Sequence, residues 1–344
     1  MSMRARELGL VCGILPTGER NAITDVPGVR VGHHTIRSGD INTGVTAILP
    51  HGGNIFRRKV LAASDVINGF GKSTGLVQVD ELGTLETPIL LTNTLSVGTC
   101  ANALIREAIA ANPDIGRTTS TVNAVVGECN DGPLNDIQAM AVTEDHVRLA
   151  LADANDGDVA EGNVGAGTGM TCFGFKGGIG TSSRRLTLGD RTFHVGVLIL
   201  SNFGRAGDLV LPDGRRPDPR ARKEAEKGSI MIVLATDVPM EHRQLKRVTR
   251  RCAAGLARLG AFWGHGSGDI AIGFSTGVTF DHDETNDFVA ISALNEDRID
   301  DLFRAGAEAT QEAVLNSMCS AEAMRGRSGH SRKSLADWLR ANQD

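Results

Sequence analysis

Residues 228–237 read Gly-Ser-Ile-Met-Ile-Val-Leu-Ala-Thr-Asp. From Ile230 to Ala235 no position is polar, so a strand built here is apolar on both faces and needs a layer above and below it. Val195 to Leu200 has the same character. Glu241 to Leu259 reads as an amphipathic helix and Asp300 to Met324 as an Ala-rich helix whose acidic start suits the helix dipole. Two stacked sheets flanked by helices, or a doubly wound sheet, satisfy this pattern.

The rest of the chain alternates in the same way. Val29 to His34, Val45 to Leu49, Pro88 to Thr92, Thr121 to Val126 and Ile270 to Phe274 carry the β-branched density of strands. Thr99 to Ala111 has apolar residues at helical spacing and is stopped by Asn112-Pro113, and Asn135 to Val142 also reads as helical. The composition agrees: 42 of 344 residues are Gly, well above the roughly 7% that is usual. With 4% aromatic residues and no Tyr, the core is left to Val, Ile, Leu and Ala.

The formal charge of -5 gives no global positive field to attract nucleic acid or anionic lipid. No window is apolar over the ~18 residues that a bilayer span needs. Six scattered cysteines without metal spacing, and a start that lacks the apolar core of a secretory signal, point to a reduced, cytoplasmic protein without metal or cofactor. His33, His34 and His265 stand apart from any carboxylate cluster at ligand spacing and read as structural. The basic face Arg243, Lys246, Arg247, Arg250 and Arg251 reads as solvated surface or a subunit contact.

Two glycine-rich stretches mimic nucleotide loops and fail the test. Gly69-Phe-Gly-Lys72-Ser73 has Val66 where the phosphate loop needs Gly, which leaves a turn in a cleft or a plain loop. Gly162 to Gly169 is followed by strand and turn residues, so the helix dipole that binds a pyrophosphate is missing.

Leu211 to Gly228 breaks the alternation, with three prolines and dense mixed charge, and reads as an exposed linker. It ends at Gly228-Ser229. A serine needs a base to become a nucleophile. If the Ser229 hydroxyl attacks the Gly228 carbonyl and the ester is hydrolysed, Ser229 heads a new chain, and its α-amino group, with a reference pKa of about 7.7 to 8.0, serves as base. Gly228 suits such a step because glycine tolerates strained backbone. Gly-Ser is equally common as plain loop chemistry. Ser267 and Asp269 lie two apart on one side of the next strand and form either a proton relay or a polar strand entrance. Asn202, at the end of a buried strand, is either an amide donor for an oxyanion or a turn former. Asp131 and Asp136 flank Pro133, where stabilising the turn ranks ahead of lining a pocket.

These residues resemble the self-processing aminopeptidases typified by L-aminopeptidase/D-esterase, which include the β-peptidyl aminopeptidases. The resemblance spans nearly the whole chain, through Asn21 to His33, Leu91 to Gly98, Val125 to Gly132, Asn202 to Gly204, Gly228-Ser229 with Ile232 to Asp237, and Gly266 to Asp269. It implies an αββα sandwich similar to N-terminal-nucleophile hydrolases with different strand connections. It also implies a single 1–344 unit that cuts itself between Gly228 and Ser229, with the two pieces assembling into a homo-oligomer, a tetramer of processed pairs. Ser229 matches the nucleophile, Ser267 and Asp269 its assistants, and Asn202 the oxyanion residue. Glu128 matches the acid that holds the substrate's free amine, with Asn130 and Asp131 beside it in the substrate site.

The implied substrate is a small peptide, or an aminoacyl amide or ester. Pro133 replaces the aromatic residue that relatives carry, so no phenol assists here. An acyltransferase of similar architecture and a non-catalytic metabolite-binding relative are the competing expectations.

Overall fold

The computed structural model describes residues 3–219 and 228–342. The chain runs β1 (Arg30–Ser38), β2 (Ile41–Leu49), β3 (Arg58–Gly69), α1 (Leu76–Leu82), β4 (Thr84–Leu85), β5 (Ile89–Asn93), α2 (Val97–Ala111), β6 (Val125–Cys129) and α3 (Glu144–Asp153). A small ladder of β7 (Thr171–Cys172) and β8 (Phe175–Lys176) precedes β9 (Gly178–Leu188) and β10 (Arg191–Asn202). Then follow β11 (Ser229–Thr236), α4 (His242–Arg250), α5 (Cys252–Ala257), β12 (Gly268–Asp281), α6 (Ile299–Cys319) and α7 (Leu335–Ala341).

The strands form two main sheets, ordered β1-β2-β5-β6 and β4-β3-β12-β11-β10-β9. Period-two alternation explains the wholly apolar β11. Ile230, Ile232 and Leu234 point into a core with Leu245, Leu256, Leu302 and Val314 from α4, α5 and α6. Met231, Val233 and Ala235 point the other way, into a core shared with Ile48, Leu91 and Val125 of the smaller sheet. A third core packs Val45, Ala47, Leu90 and Val126 under Leu104 of α2 and Val147 of α3. The layers are helix, sheet, sheet, helix, and the doubly wound alternative is ruled out.

Several segments depart from the sequence reading. Asn135 to Val142 forms only a short 3₁₀ turn, Ile137–Ala139. Its first residue is diverted: the Asn135 side chain accepts from Asn42 N–H at 2.9 Å and donates to Asp131 at 2.9 Å, a local alternative to helix. The helix comes later as α3, whose first turn carries Glu144 and Asp145. Residues 121–124 are irregular and β6 begins at Val125. Glu241 to Leu259 is divided at Arg251 into α4 and α5, and α6 stops at Cys319 rather than Met324. In the linker, Leu211, Pro217 and Pro219 are buried, so its described part is anchored rather than loose, and residues 220–227 lie outside the described residues. The basic face of α4 is paired with acids from other segments, Lys246 with Asp80 and Arg250 with Asp65 at 3.0 Å each, and Arg243 and Arg247 with Glu296.

Below the larger sheet lies a buried charge cluster. The Arg184 guanidinium donates to Glu308 at 3.3 Å, to Glu312 at 2.8 Å and to the Cys12 carbonyl at 2.7 Å. Arg6 donates to the other Glu312 oxygen at 2.7 Å. Burial pushes the Glu312 carboxyl up, but Arg6, Arg184 and Asn21 outweigh it and hold the group below the ordinary carboxylate range. Removing one partner strands a buried charge. Glu312→Ala is therefore expected to cost about 3–5 kcal/mol of stability; denaturant unfolding checks this, and a loss below about 1 kcal/mol contradicts the assignment.

Candidate active site

Ser229 opens β11 between two neighbours, opposite Asn202 of antiparallel β10 and Gly268 of parallel β12. It is 5% exposed. Gly268 N–H points at the junction and donates both to the Gly228 carbonyl and to Ser229 Oγ, at 3.2 Å each. Gly228 is required by space: a Cβ there would lie 2.1 Å from the Asn202 carbonyl oxygen. Its φ is not positive, so close approach rather than left-handed strain dictates the glycine.

Ser267 and Asp269 flank Gly268 and are both buried. The Ser267 hydroxyl donates to Asp269 Oδ1 at 2.7 Å. Asn68, near the end of β3, fixes the loop before them, its amide donating to the Gly264 and Ser267 carbonyls at 2.9 and 2.6 Å. Sequence patterning had no means of selecting Asn68, because its role arises from strand pairing between β3 and β12.

The Asn202 amide is held at both ends. Its oxygen accepts from Thr171 N–H and its nitrogen donates to the Asn130 carbonyl, each at 2.9 Å. Asn130 is exposed, and its side chain caps Gly132 N–H at 2.9 Å. Asp131 is wholly buried and accepts from the Asn135 amide at 2.9 Å. Nearby, buried Lys176 donates to the Gly167 and Gly177 carbonyls at 3.0 and 2.8 Å, and burial drives its amine well below the ordinary value.

Glu128 comes from the other sheet. It is 2% exposed and accepts from Lys72 N–H at 2.8 Å and from the Thr94 hydroxyl. Among the described residues no cationic side chain pairs with it. Gly71 links it to the serine: a Cβ on Gly71 would stand 3.7 Å from Glu128 Oε1 and 3.8 Å from Gly268 Cα. Ser229, Ser267, Asp269, Asn202 and Glu128 thus converge at one end of the sandwich.

His33 lies elsewhere, bonded to Thr46 at 2.9 Å, with burial lowering its pKa to about 4, and His34 stacks on His146. Gly162 to Gly169 packs against β2, where a Cβ on Gly165 would sit 2.4 Å from Thr46 Oγ1. Among the described residues no group of three or more His, Cys, Asp or Glu is arranged to hold a metal ion.

Residues 21–332 match the family model described as Peptidase family S58. The chain belongs to peptidase family S58. A β-peptidyl aminopeptidase, BapA of Sphingosinicella microcystinivorans, is 38% identical over 95% of this chain and 88% of its own length. The crystal structure of the PH0078 protein of Pyrococcus horikoshii OT3 superposes with a TM-score of 0.92 at 47% identity, covering 98% of both chains. The L-aminopeptidase D-Ala-esterase/amidase of Ochrobactrum anthropi, described as a prototype for the serine aminopeptidases and a new variant of the Ntn hydrolase fold, gives 0.90 at 37% identity over 98% of this chain and 97% of its own. This S58 chain has that variant fold, and it is a peptidase of the serine, N-terminal-nucleophile type.

The Asp131 carboxyl is pushed up to about 7 by burial, against hydrogen bonds from Thr43 and Asn135. Its ordinary value is 3.8, so between these two values the folded S58 chain keeps a proton that the unfolded chain has lost, and this residue's effect on stability worsens as pH rises. Asp131→Asn removes that slope. The variant's stability relative to the parent is expected to climb from about pH 4 to 7 and then level off, and parallel unfolding profiles would contradict it.

Proposed function

We propose that this S58 peptidase is a self-processing aminopeptidase with Ser229 as nucleophile, releasing the N-terminal residue of small peptides, aminoacyl amides or esters. The observation that carries it is the Gly268 N–H shared between the Gly228 carbonyl and the Ser229 hydroxyl. It polarises the carbonyl that the hydroxyl attacks, as a preorganised donor does.

In the maturation step, Ser229 Oγ bonds to the Gly228 carbonyl carbon, the carbon–nitrogen bond breaks, and the hydroxyl proton passes to the Ser229 nitrogen. Water then splits the ester into a Gly228 carboxylate and a free Ser229 hydroxyl. In turnover the freed amine takes the hydroxyl proton while Oγ attacks the substrate carbonyl. The leaving amine departs with a proton, and water releases the acyl group. Gly268 N–H and the Asn202 amide are the donors assigned to the oxyanion, and Ser267 with Asp269 orients the Ser229 amine. Arg6 and Arg184 precede the junction while Glu308 and Glu312 follow it, so the ion pairs on these two buried glutamates hold the two pieces together.

Glu128 is assigned the substrate ammonium, since a buried carboxylate whose donors among the described residues are an N–H and a hydroxyl gains from a cation. The names of the BapA and Ochrobactrum enzymes support an aminopeptidase. No observation favours transfer to an amine acceptor or a non-catalytic binder. Among the described residues no helix is long and apolar enough to cross a membrane. A cytoplasmic homo-oligomer, a tetramer of processed pairs, completes the proposal.

Ser229→Ala should lower hydrolysis of aminoacyl p-nitroanilides by about 10⁴-fold or more, and retained turnover would refute the assignment. Glu128→Gln should lower kcat/KM by roughly 10- to 100-fold, chiefly through KM, the size expected for a charge-assisted hydrogen bond. An unchanged KM would remove Glu128 from amine binding.

A further inference from the structure

The Gly69-Phe70-Gly71-Lys72-Ser73 turn contributes one backbone N–H to Glu128, but its lysine side chain has no part in the proposed reaction. The turn is built tightly across the end of the sandwich. Gly69 pairs with Gly268 of β12, and Phe70 N–H donates to the Ser267 carbonyl at 3.3 Å. Thr74 exchanges both backbone hydrogen bonds with Val126 of β6, at 2.9 and 3.3 Å. The backbone therefore passes from the sheet that carries Ser229 to the sheet that carries Glu128, and the Lys72 main chain is fixed beside the carboxylate assigned to the substrate's amine.

Its side chain is exposed at this rim. The ammonium stands 4.1 Å from the Phe70 ring centroid, and the His265 ring lies 6.3 Å from that of Phe70. Among the described residues no carboxylate pairs with Lys72, whereas Arg205, on the segment just after Asn202, is held by Asp208 at 2.9 and 3.2 Å. The rim thus offers a positive charge resting on an aromatic face, on a residue whose backbone N–H meets a buried negative one.

We propose that Lys72 is a specificity-determining residue on the leaving-group side, binding the C-terminal carboxylate of a dipeptide whose ammonium is held by Glu128. The inference rests on the peptidase assignment of Ser229 and Glu128. A dipeptide carries opposite charges at ends about 7 Å apart, from roughly 3.3–3.6 Å per extended residue. Glu128 and the Lys72 ammonium present the complementary signs, and a long, flexible lysine stem can carry the ammonium away from the carboxylate that its own backbone N–H meets. An amide in place of the free carboxylate loses this contact, so the preferred class is the short peptide with a free C-terminus.

The test compares purified parent, Lys72→Gln and Lys72→Arg on one dipeptide and on the same dipeptide amidated at its C-terminus. The quantity read is the ratio of kcat/KM for acid over amide, which cancels any loss common to both substrates. The ratio is expected to fall roughly threefold to tenfold in Lys72→Gln, as for a solvent-accessible ion pair, and to be largely kept in Lys72→Arg. Rising salt should lower it in the parent and leave it flat in Lys72→Gln. An unchanged ratio in Lys72→Gln, or a ratio equally low in Lys72→Arg, overturns the carboxylate subsite. Hydrolysis of the amidated dipeptide by the parent and its loss in Ser229→Ala test the peptidase assignment separately.

Discussion

One backbone N–H, that of Gly268, fixes the Gly228 carbonyl and the Ser229 hydroxyl in the same place. It can do so because β11 and β12 run parallel with Ser229 opposite Gly268, while β10 presses Asn202 against Gly228 from the other side. A parallel pair in the middle of a sheet needs both faces covered, and the layered cores cover them. The chemistry at the strand end is thus set by pairing decided along the whole length of β11.

Two buried carboxylate systems show how differently the same group is used. Glu312 is surrounded by Arg6, Arg184 and Asn21, and its charge is neutralised within the chain. Glu128 is equally buried but among the described residues receives an N–H and a hydroxyl and no cation. Because isolated buried charge is costly, the first arrangement binds segments of the chain to each other, and the second is suited to a cation from outside. Lys72 extends that contrast to the rim, where a cation lies on an aromatic face without an acidic partner among the described residues.

The two-sided apolar runs made β10, β11 and the layered architecture legible, and the Gly228-Ser229 junction stood out because a charged, Pro-rich stretch meets a strand there. Ser267 and Asp269 were legible through strand periodicity, and they share a hydrogen bond. What failed was local competition: Asn135 spends its side chain on Asn42 and Asp131, so a helical pattern yields a 3₁₀ turn. What was missing was non-local. Thr94, Lys72, Asn68 and Thr171 reach the site through separate segments, and no spacing within a single segment announces them. Each lies within or next to a stretch that sequence singled out for other reasons.

Whether Ser229 heads a new chain is read by mass analysis of the purified, denatured protein. Two species are expected, residues 1–228 and 229–344, meeting at the Gly228–Ser229 bond that the proposed self-processing breaks. An uncut chain of full length that hydrolyses aminoacyl substrates at full rate, or a break at another bond, would contradict it.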